Sequence, residues 1–255
     1  MNYREDSFLK QNFLSKIHYN KEENILLSLL QLSFNLPSHK RPGNPPKYNI
    51  ANPLLKILGP PAKHIAEKGG HCGRRSRLLI NLLHKKNIKA RKVHLINQNY
   101  KKHGHTHEYV HAVVEAFING SWVVADPLYN IVYMNENGEM AGLNEIQSNP
   151  KIFKEGIRHA DTKYVDYLED LYTYAEYRKF IWNSLPWGDF IRIFLANKFG
   201  KMRVDMLSIP YILEKPYLCL AIMSYLMSLF ILIQFFVINH YSTPHCQDQN
   251  GSKIR

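Results

Sequence analysis

An Asn-Gly pair at Asn119-Gly120, between two apolar stretches, constrains the fold of this chain more than any other feature. Asn-Gly is the strongest short-range signal for a two-residue β-hairpin turn. The residues before the turn alternate in polarity, so His111 and Glu115 share one face of a predicted strand. Trp122–Ala125 then runs back as a second strand. The sequence therefore predicts a hairpin with His111 on one strand and Asp126 at the far end of the other, within hydrogen-bonding reach.

A cysteine lies upstream, at the predicted start of a helix. Cys72 follows the pair Gly69-Gly70, which permits a sharp turn, and the leucines after it recur at helical spacing. These leucines are Leu78, Leu79, Leu82 and Leu83. Unpaired backbone N–H groups and the positive end of the helix dipole favour a thiolate at this position. The alternative is a small buried cysteine that only packs.

A thiol, an imidazole and a carboxylate in this order are the parts of an activated cysteine nucleophile. Cys72 would attack, His111 would move its proton, and Asp126 would hold the imidazole. Each residue also has a structural interpretation: His111 as a buried strand histidine, and Asp126 as a turn residue before Pro127. The three phrases together favour catalysis over three separate structural roles.

The motifs G-x-C before a helix, H-A-x-x-E, and W-x-x-x-D-P after a short turn resemble the transglutaminase-like superfamily of papain-type cysteine enzymes. The resemblance covers roughly residues 60 to 130. It implies a catalytic triad of Cys72, His111 and Asp126, and an α+β core in which a helix packs on an antiparallel sheet. One position departs from the family pattern: Val113 stands where an aromatic residue is common.

The function that follows is a cysteine hydrolase or acyltransferase, such as a cysteine protease or amidase, acting on amide or peptide bonds of a peptide or protein substrate. It would proceed through a thioester on Cys72, with no metal and no organic cofactor. The alternative is a non-catalytic, membrane-tethered scaffold that keeps the fold, because the superfamily includes members that have lost catalytic residues.

The run from Pro216 to Ile238 contains no charged residue. It exceeds the roughly 20 residues that a helix needs to cross a bilayer. Tyr217 and Tyr241 flank it, at positions where interfacial aromatic residues are favoured. The run predicts a single transmembrane helix, with a buried core helix as the alternative. By resemblance the chain is similar to a bacterial membrane-anchored member of the superfamily.

The predicted location is a single-pass membrane protein with its catalytic domain facing the cytoplasm. The chain starts with charged residues and shows no secretory signal. Basic residues lie on the N-terminal side of the span at Lys198, Lys201, Arg203 and Lys215, against Lys253 and Arg255 beyond it. The segment with Phe190 and Phe194 before the span is basic and predicts an amphipathic helix, either on the membrane surface or packed on the domain.

The composition of the chain limits the kinds of partner that it is expected to bind. The formal net charge of +12 attracts anionic surfaces, and beside a predicted span the membrane lipid bilayer is the simplest such partner. No nucleic-acid-binding motif is visible, so no nucleic acid is expected. The three cysteines do not make a disulfide framework, because Cys219 falls inside the span and Cys246 in the tail.

The histidines at His103, His105 and His107 form a second candidate site. Alternating histidines bind zinc, copper or nickel, and His111 would then be shared with the metal. The loop lacks a second ligand cluster downstream, which favours solvated histidines.

The predicted organisation has five parts: an N-terminal helical and loop region over residues 1–59, a transglutaminase-like catalytic core over 60–150, a helical C-terminal extension over 151–215, a transmembrane helix over 216–238 and a short tail over 239–255. The extension includes a tyrosine-rich helix over residues 161–183, whose aromatic side chains are interpreted as packing, with a wall of the substrate site as the alternative.

Overall fold

The structure is a computed structural model that describes residues 2–36, 61–96, 110–157, 168, 169, 172, 176–178, 188–200, 204 and 216–242. The helices are α1 (Asn2–Asn12), α2 (Glu22–Phe34), α3 (Ala62–Lys68), α4 (Cys72–Lys85), α5 (Leu143–Ser148), α6 (Pro150–Gly156), α7 (Gly188–Phe199) and α8 (Pro216–Ser242), with a 3-10 turn at Leu14–Lys16. The strands are β1 (Ala90–Ile96), β2 (Val110–Ile118), β3 (Ser121–Asp126), β4 (Ile131–Val132) and β5 (Glu176–Arg178).

The strands form one antiparallel sheet in the order β4-β3-β2-β1-β5. The predicted hairpin of β2 and β3 is present, and Ile118 pairs with Ser121 across its turn. Asn119 and Gly120 both have positive φ, 49° and 88°, as a type I′ turn requires. The alternation of β2 places its two sets of side chains in two separate cores.

One core lies between the sheet and α4. The apolar face of α4 packs against β2, and helices α1, α2 and α3 close the same core from the N-terminal side. Ser76 of α4 donates a hydrogen bond to the carbonyl of Ala112 at 2.9 Å, so the helix is tied to the start of β2 as well as packed on it. This packing fixes where α4 begins relative to the sheet.

The opposite face of the sheet holds a second core rich in aromatic rings. Val113 and Val124 of the sheet lie in it together with Tyr133, Phe153 and Tyr172, all of them buried. The ring centroids of Tyr133 and Tyr172 are 4.9 Å apart, and those of Phe153 and Tyr172 are 5.8 Å apart. The mixture of helices with an antiparallel sheet is the α+β class, as the sequence predicts.

The tyrosine-rich helix predicted over residues 161–183 is wrong at 176–178, where the chain forms β5 and pairs antiparallel with β1. The free edge of β1 offers backbone hydrogen bonds that local helical spacing does not reveal, so tertiary pairing overrides local preference. Most of that segment, and the loop of residues 97–109 with its histidines, lies outside the described residues. The division into five parts stays a prediction.

Helix α8 contains an apolar stretch, Ala221–Ile238, that is long enough to cross a membrane and is not buried against the rest of the described structure. Leu226, Phe230, Ile233 and Ile238 are among its exposed apolar side chains. The buried-core alternative for this run therefore finds no support among the described residues. The predicted helix before the span corresponds to α7, on which Phe190 and Phe194 are exposed.

Candidate active site

Cys72 is the first residue of α4, as the glycine turn predicts. Gly69 has φ 72° and ψ −160°, a conformation that strains residues with a Cβ, and it ends α3 so that the chain can turn into α4. The buried Arg75 secures this turn: its Nε donates to the carbonyl of Gly70 at 2.8 Å, and its Nη1 to the carbonyl of Ser33 at 2.5 Å. Cys72 itself is partly exposed, so a reactant can reach it.

His111 and Asp126 lie together at one end of the hairpin. His111 is near the start of β2 and Asp126 is the last residue of β3, so antiparallel pairing brings them to the same end of the sheet. The Nε2 of His111 donates to Oδ2 of Asp126 at 2.6 Å, and both side chains are almost completely buried. The structure thus joins the two residues that the sequence predicts as a pair.

Asp126 accepts hydrogen bonds from three other donors besides His111. Its Oδ1 accepts from the backbone N–H of Leu128 at 2.9 Å and of Tyr129 at 3.3 Å. Its Oδ2 accepts from the Tyr172 hydroxyl at 2.9 Å in addition to His111. A buried carboxylate is stable only when its oxygens accept hydrogen bonds, and both oxygens of Asp126 do so.

The thiol of Cys72 lies close enough to the His111 side chain for hydrogen bonding between them to shift the pKa of both groups. Because Nε2 of His111 is occupied by Asp126, the other ring nitrogen, Nδ1, is the one left for the sulfur. Burial raises the pKa of the Cys72 thiol, but the hydrogen bond and charge of His111 and a hydrogen bond from the Ala112 backbone outweigh it. The net result is a pKa below the usual value of this thiol, which favours the thiolate.

The pKa of the His111 imidazole is raised, whereas that of the thiol is lowered. Burial lowers the pKa of His111, but the charge and hydrogen bond of Asp126, together with those of Cys72, raise it to about 10. His111 is therefore protonated at neutral pH, facing a thiol that tends to ionise. Cys72, His111 and Asp126 form a hydrogen-bonded chain that supports a thiolate–imidazolium pair.

Aromatic residues surround the imidazole. The ring of Tyr129, which is partly exposed, lies 5.6 Å from the His111 ring, and that of Tyr172 lies 6.5 Å from it. Burial and the charge of Asp126 raise the pKa of Tyr172 well above its usual value, so its hydroxyl stays protonated as a donor. The sequence predicts a packing role for Tyr172 and gives no link between it and Asp126. Its position in a tyrosine-rich stretch is the one signal that points to this residue.

The alternative metal site cannot be placed on the structure, because His103, His105 and His107 lie outside the described residues. Within the described ranges, no cluster of three or more His, Cys, Asp or Glu side chains is arranged to hold a metal ion. His111 is engaged with Asp126 and Cys72.

Comparison with known proteins finds one similarity, to a family model that covers part of the chain. No curated protein and no solved structure matches the chain. A family model described as the transglutaminase-like superfamily matches residues 44–127, a segment that includes Cys72, His111 and Asp126. Residues 44–127 are therefore similar to the transglutaminase-like superfamily.

Proposed function

We propose that this protein is a membrane-anchored cysteine enzyme that cleaves or transfers acyl groups at amide or peptide bonds through a thioester on Cys72. The observation that carries the proposal is the buried hydrogen bond from His111 to Asp126 at 2.6 Å, with the Cys72 thiol close enough to His111 for each to shift the pKa of the other. Its electrostatics support a reactive thiolate, because the pKa of Cys72 is lowered while that of His111 is raised.

In the first half of the reaction, the Cys72 sulfur attacks the carbonyl carbon of the substrate and an oxyanion forms. The backbone N–H of Cys72, at the first position of α4, has no partner within its own helix, and we assign it as one oxyanion donor. The carbon–nitrogen bond then breaks, and His111 gives its proton to the leaving amine. The acyl group remains on Cys72 as a thioester.

In the second half, His111 takes a proton from the acceptor, which attacks the thioester carbon, and the Cys72 thiolate leaves. Water as acceptor makes the enzyme a protease or amidase, and an amine makes it a transglutaminase. Asp126 holds the ring of His111 through Nε2 and stabilises its positive charge in both halves.

The competing function is a non-catalytic scaffold. A scaffold requires packing around Cys72, His111 and Asp126 but gives no reason for a thiol with a lowered pKa. The partial exposure of Cys72 and its bond to a charged imidazole therefore favour the enzyme.

The membrane anchor of this proposal is α8. Its apolar side chains are exposed to the surroundings over Ala221–Ile238, as the outer surface of a membrane-spanning helix is. The excess of basic residues N-terminal to the span supports a catalytic domain on the cytoplasmic side.

The full-length protein in detergent can be tested with p-nitrophenyl acetate, an activated ester that acylates cysteine nucleophiles whatever their natural substrate. We expect a burst of one equivalent of p-nitrophenolate and an acetyl group on the peptide containing Cys72, located by mass spectrometry. Adding an amine acceptor separates hydrolysis from transfer: aminolysis of the acetyl-enzyme identifies an acyltransferase.

The matched controls are Cys72→Ala, which should lose the burst, and Cys246→Ala, which should keep it. Acetylation of Cys72 no faster than that of N-acetylcysteine at the same pH contradicts the proposal and supports the scaffold.

A further inference from the structure

The carboxylate of Asp126 has a second side-chain donor besides His111, and it comes from a remote part of the chain. The hydroxyl of Tyr172 donates to Oδ2 at 2.9 Å, the same oxygen that accepts from His111. Tyr172 lies beyond residues 44–127, the segment that matches the superfamily model, so the site extends outside that segment. We propose that Tyr172 is a positioning residue that holds Asp126 in the orientation required by His111 and thereby sets the reactivity of Cys72.

The geometry supports positioning rather than simple packing. The two oxygens of Asp126 are held by different partners: Oδ1 by the backbone of Leu128 and Tyr129, Oδ2 by His111 and Tyr172. With both oxygens fixed, the carboxylate has little freedom to rotate away from the imidazole. Asp126 and Tyr172 are both fully buried, so water has no free access to replace a missing hydroxyl.

The Tyr172 hydroxyl is itself fixed by the aromatic core. Its ring contacts those of Tyr133 and Phe153, with centroids 4.9 and 5.8 Å away. This cluster packs on the sheet in the same core as Val113 and Val124, and the Tyr172 ring lies 6.5 Å from that of His111. The second core of the fold therefore contacts Asp126 through the Tyr172 hydroxyl.

Tyr133 provides a matched control. It is as buried as Tyr172 and belongs to the same cluster, and its hydroxyl lies near that of Tyr172 but makes no hydrogen bond with Asp126. Tyr133→Phe and Tyr172→Phe remove the same atom from the same core, and only the second removes a donor from the carboxylate.

The inference rests on the proposed function, and it is tested by alkylating Cys72 of the full-length protein with iodoacetamide. Near pH 6, where an ordinary cysteine is mostly protonated, Tyr172→Phe should slow the reaction about tenfold. Well above about pH 9 the variant and the wild type should react equally, because the thiol is then ionised in both. Tyr133→Phe should slow the reaction much less at pH 6, because the Tyr133 hydroxyl lies near that of Tyr172 but does not bond the carboxylate.

Two further variants separate positioning from general loosening of the core. In an Asp126→Asn background, Tyr172→Phe should have no further effect, because its action passes through the carboxylate. Replacing Tyr172 by 3-fluorotyrosine, which keeps the hydroxyl, should preserve the wild-type rate.

Three results would overturn the inference. Tyr172→Phe could be alkylated near pH 6 as fast as the wild type or faster, or its alkylation could be slowed equally at all pH values. Tyr172→Phe could also slow alkylation as much in the Asp126→Asn background as in the wild type. A wild-type Cys72 that reacts no faster than a free thiol would overturn the proposed function as well. A fast wild type with an unchanged Tyr172→Phe overturns the positioning role alone.

Discussion

At the scale of single residues, the chemistry depends on a proton shared between Cys72 and His111. Asp126 accepts from His111 at 2.6 Å and is the main source of the raised pKa of the imidazole, which burial alone would lower. Without that carboxylate, a buried imidazole loses its proton readily and cannot support the thiolate.

Replacing Asp126 with Asn is predicted to lower the pKa of His111 from about 10, because the amide keeps the shape of the carboxylate but not its charge. An NMR titration of the His111 ring in both proteins measures the change. The sign is fixed: the wild-type ring loses its proton near pH 10, and the variant ring at lower pH. An unchanged titration would show that Asp126 is not the cause.

Replacing Cys72 with Ala is predicted to abolish acylation while costing only about 1 kcal/mol of stability, since the change removes one sulfur atom from a residue that is not fully buried. His111→Ala should lose as much activity as Cys72→Ala, because the two groups act as one unit. Burst amplitude and thermal unfolding measure these effects. A His111→Ala variant with a normal burst would separate the imidazole from the reaction.

At the scale of elements, the site is assembled where the start of α4 meets the end of the β2–β3 hairpin. The aromatic core under the sheet supports that junction, and α6 packs on this core. At Gly156, the last residue of α6, an added Cβ would lie 2.4 Å from the Tyr133 ring, so the helix packs directly on that ring.

Gly156→Ala is therefore predicted to displace Tyr133 and its neighbour Tyr172, to cost about 1–3 kcal/mol and to slow acylation of Cys72. Gly120→Ala is the control. It adds a Cβ into open space at φ 88°, at a comparable cost of about 1–2 kcal/mol, but at the opposite end of the hairpin. Thermal unfolding and burst rate measured on both variants test this. Equal acylation rates in the two variants would argue against coupling between α6 and the site.

Local signals predict the parts of the site that depend on short-range order. The glycine turn before Cys72 and the Asn119-Gly120 turn fix the helix start and the hairpin, so the sequence brings His111 and Asp126 together. Tyr172 and Arg75 escape such reasoning because their partners are distant: Tyr172 bonds a residue 46 positions away, and Arg75 one 42 positions away. Pairing across long stretches of chain leaves no periodic signal.

At the scale of the whole molecule, the described structure combines a domain with two cores and an exposed apolar helix. The edge strand β5 shows that the region after residue 150 contributes to the sheet as well as to helices. Helix α8 leaves its apolar side chains exposed over Ala221–Ile238 in the described part of the chain, which is unfavourable in water and favourable in a bilayer.

The full-length protein is predicted to fractionate with membranes and to resist high-salt extraction, because salt screens charge and not apolar transfer. Ile231→Arg places a charge in the middle of the exposed stretch at a cost of about 2.5–3.5 kcal/mol and should weaken insertion, whereas Ile231→Leu should not. If salt alone released the wild-type protein, we would conclude that α8 does not span the membrane and that basic residues attach the protein to the membrane surface.

The most direct test of the account is the ionisation of Cys72. Thiolate absorbs ultraviolet light more strongly than thiol, so the difference in absorbance between the wild type and Cys72→Ala, followed with pH, reports this one sulfur. The account predicts that Cys72 ionises clearly below its usual value of 9.0, and that His111→Ala moves the transition upward, since burial then acts without the imidazolium. A wild-type transition at or above 9.0, unchanged in His111→Ala, would contradict the thiolate–imidazolium pair on which the proposed function rests.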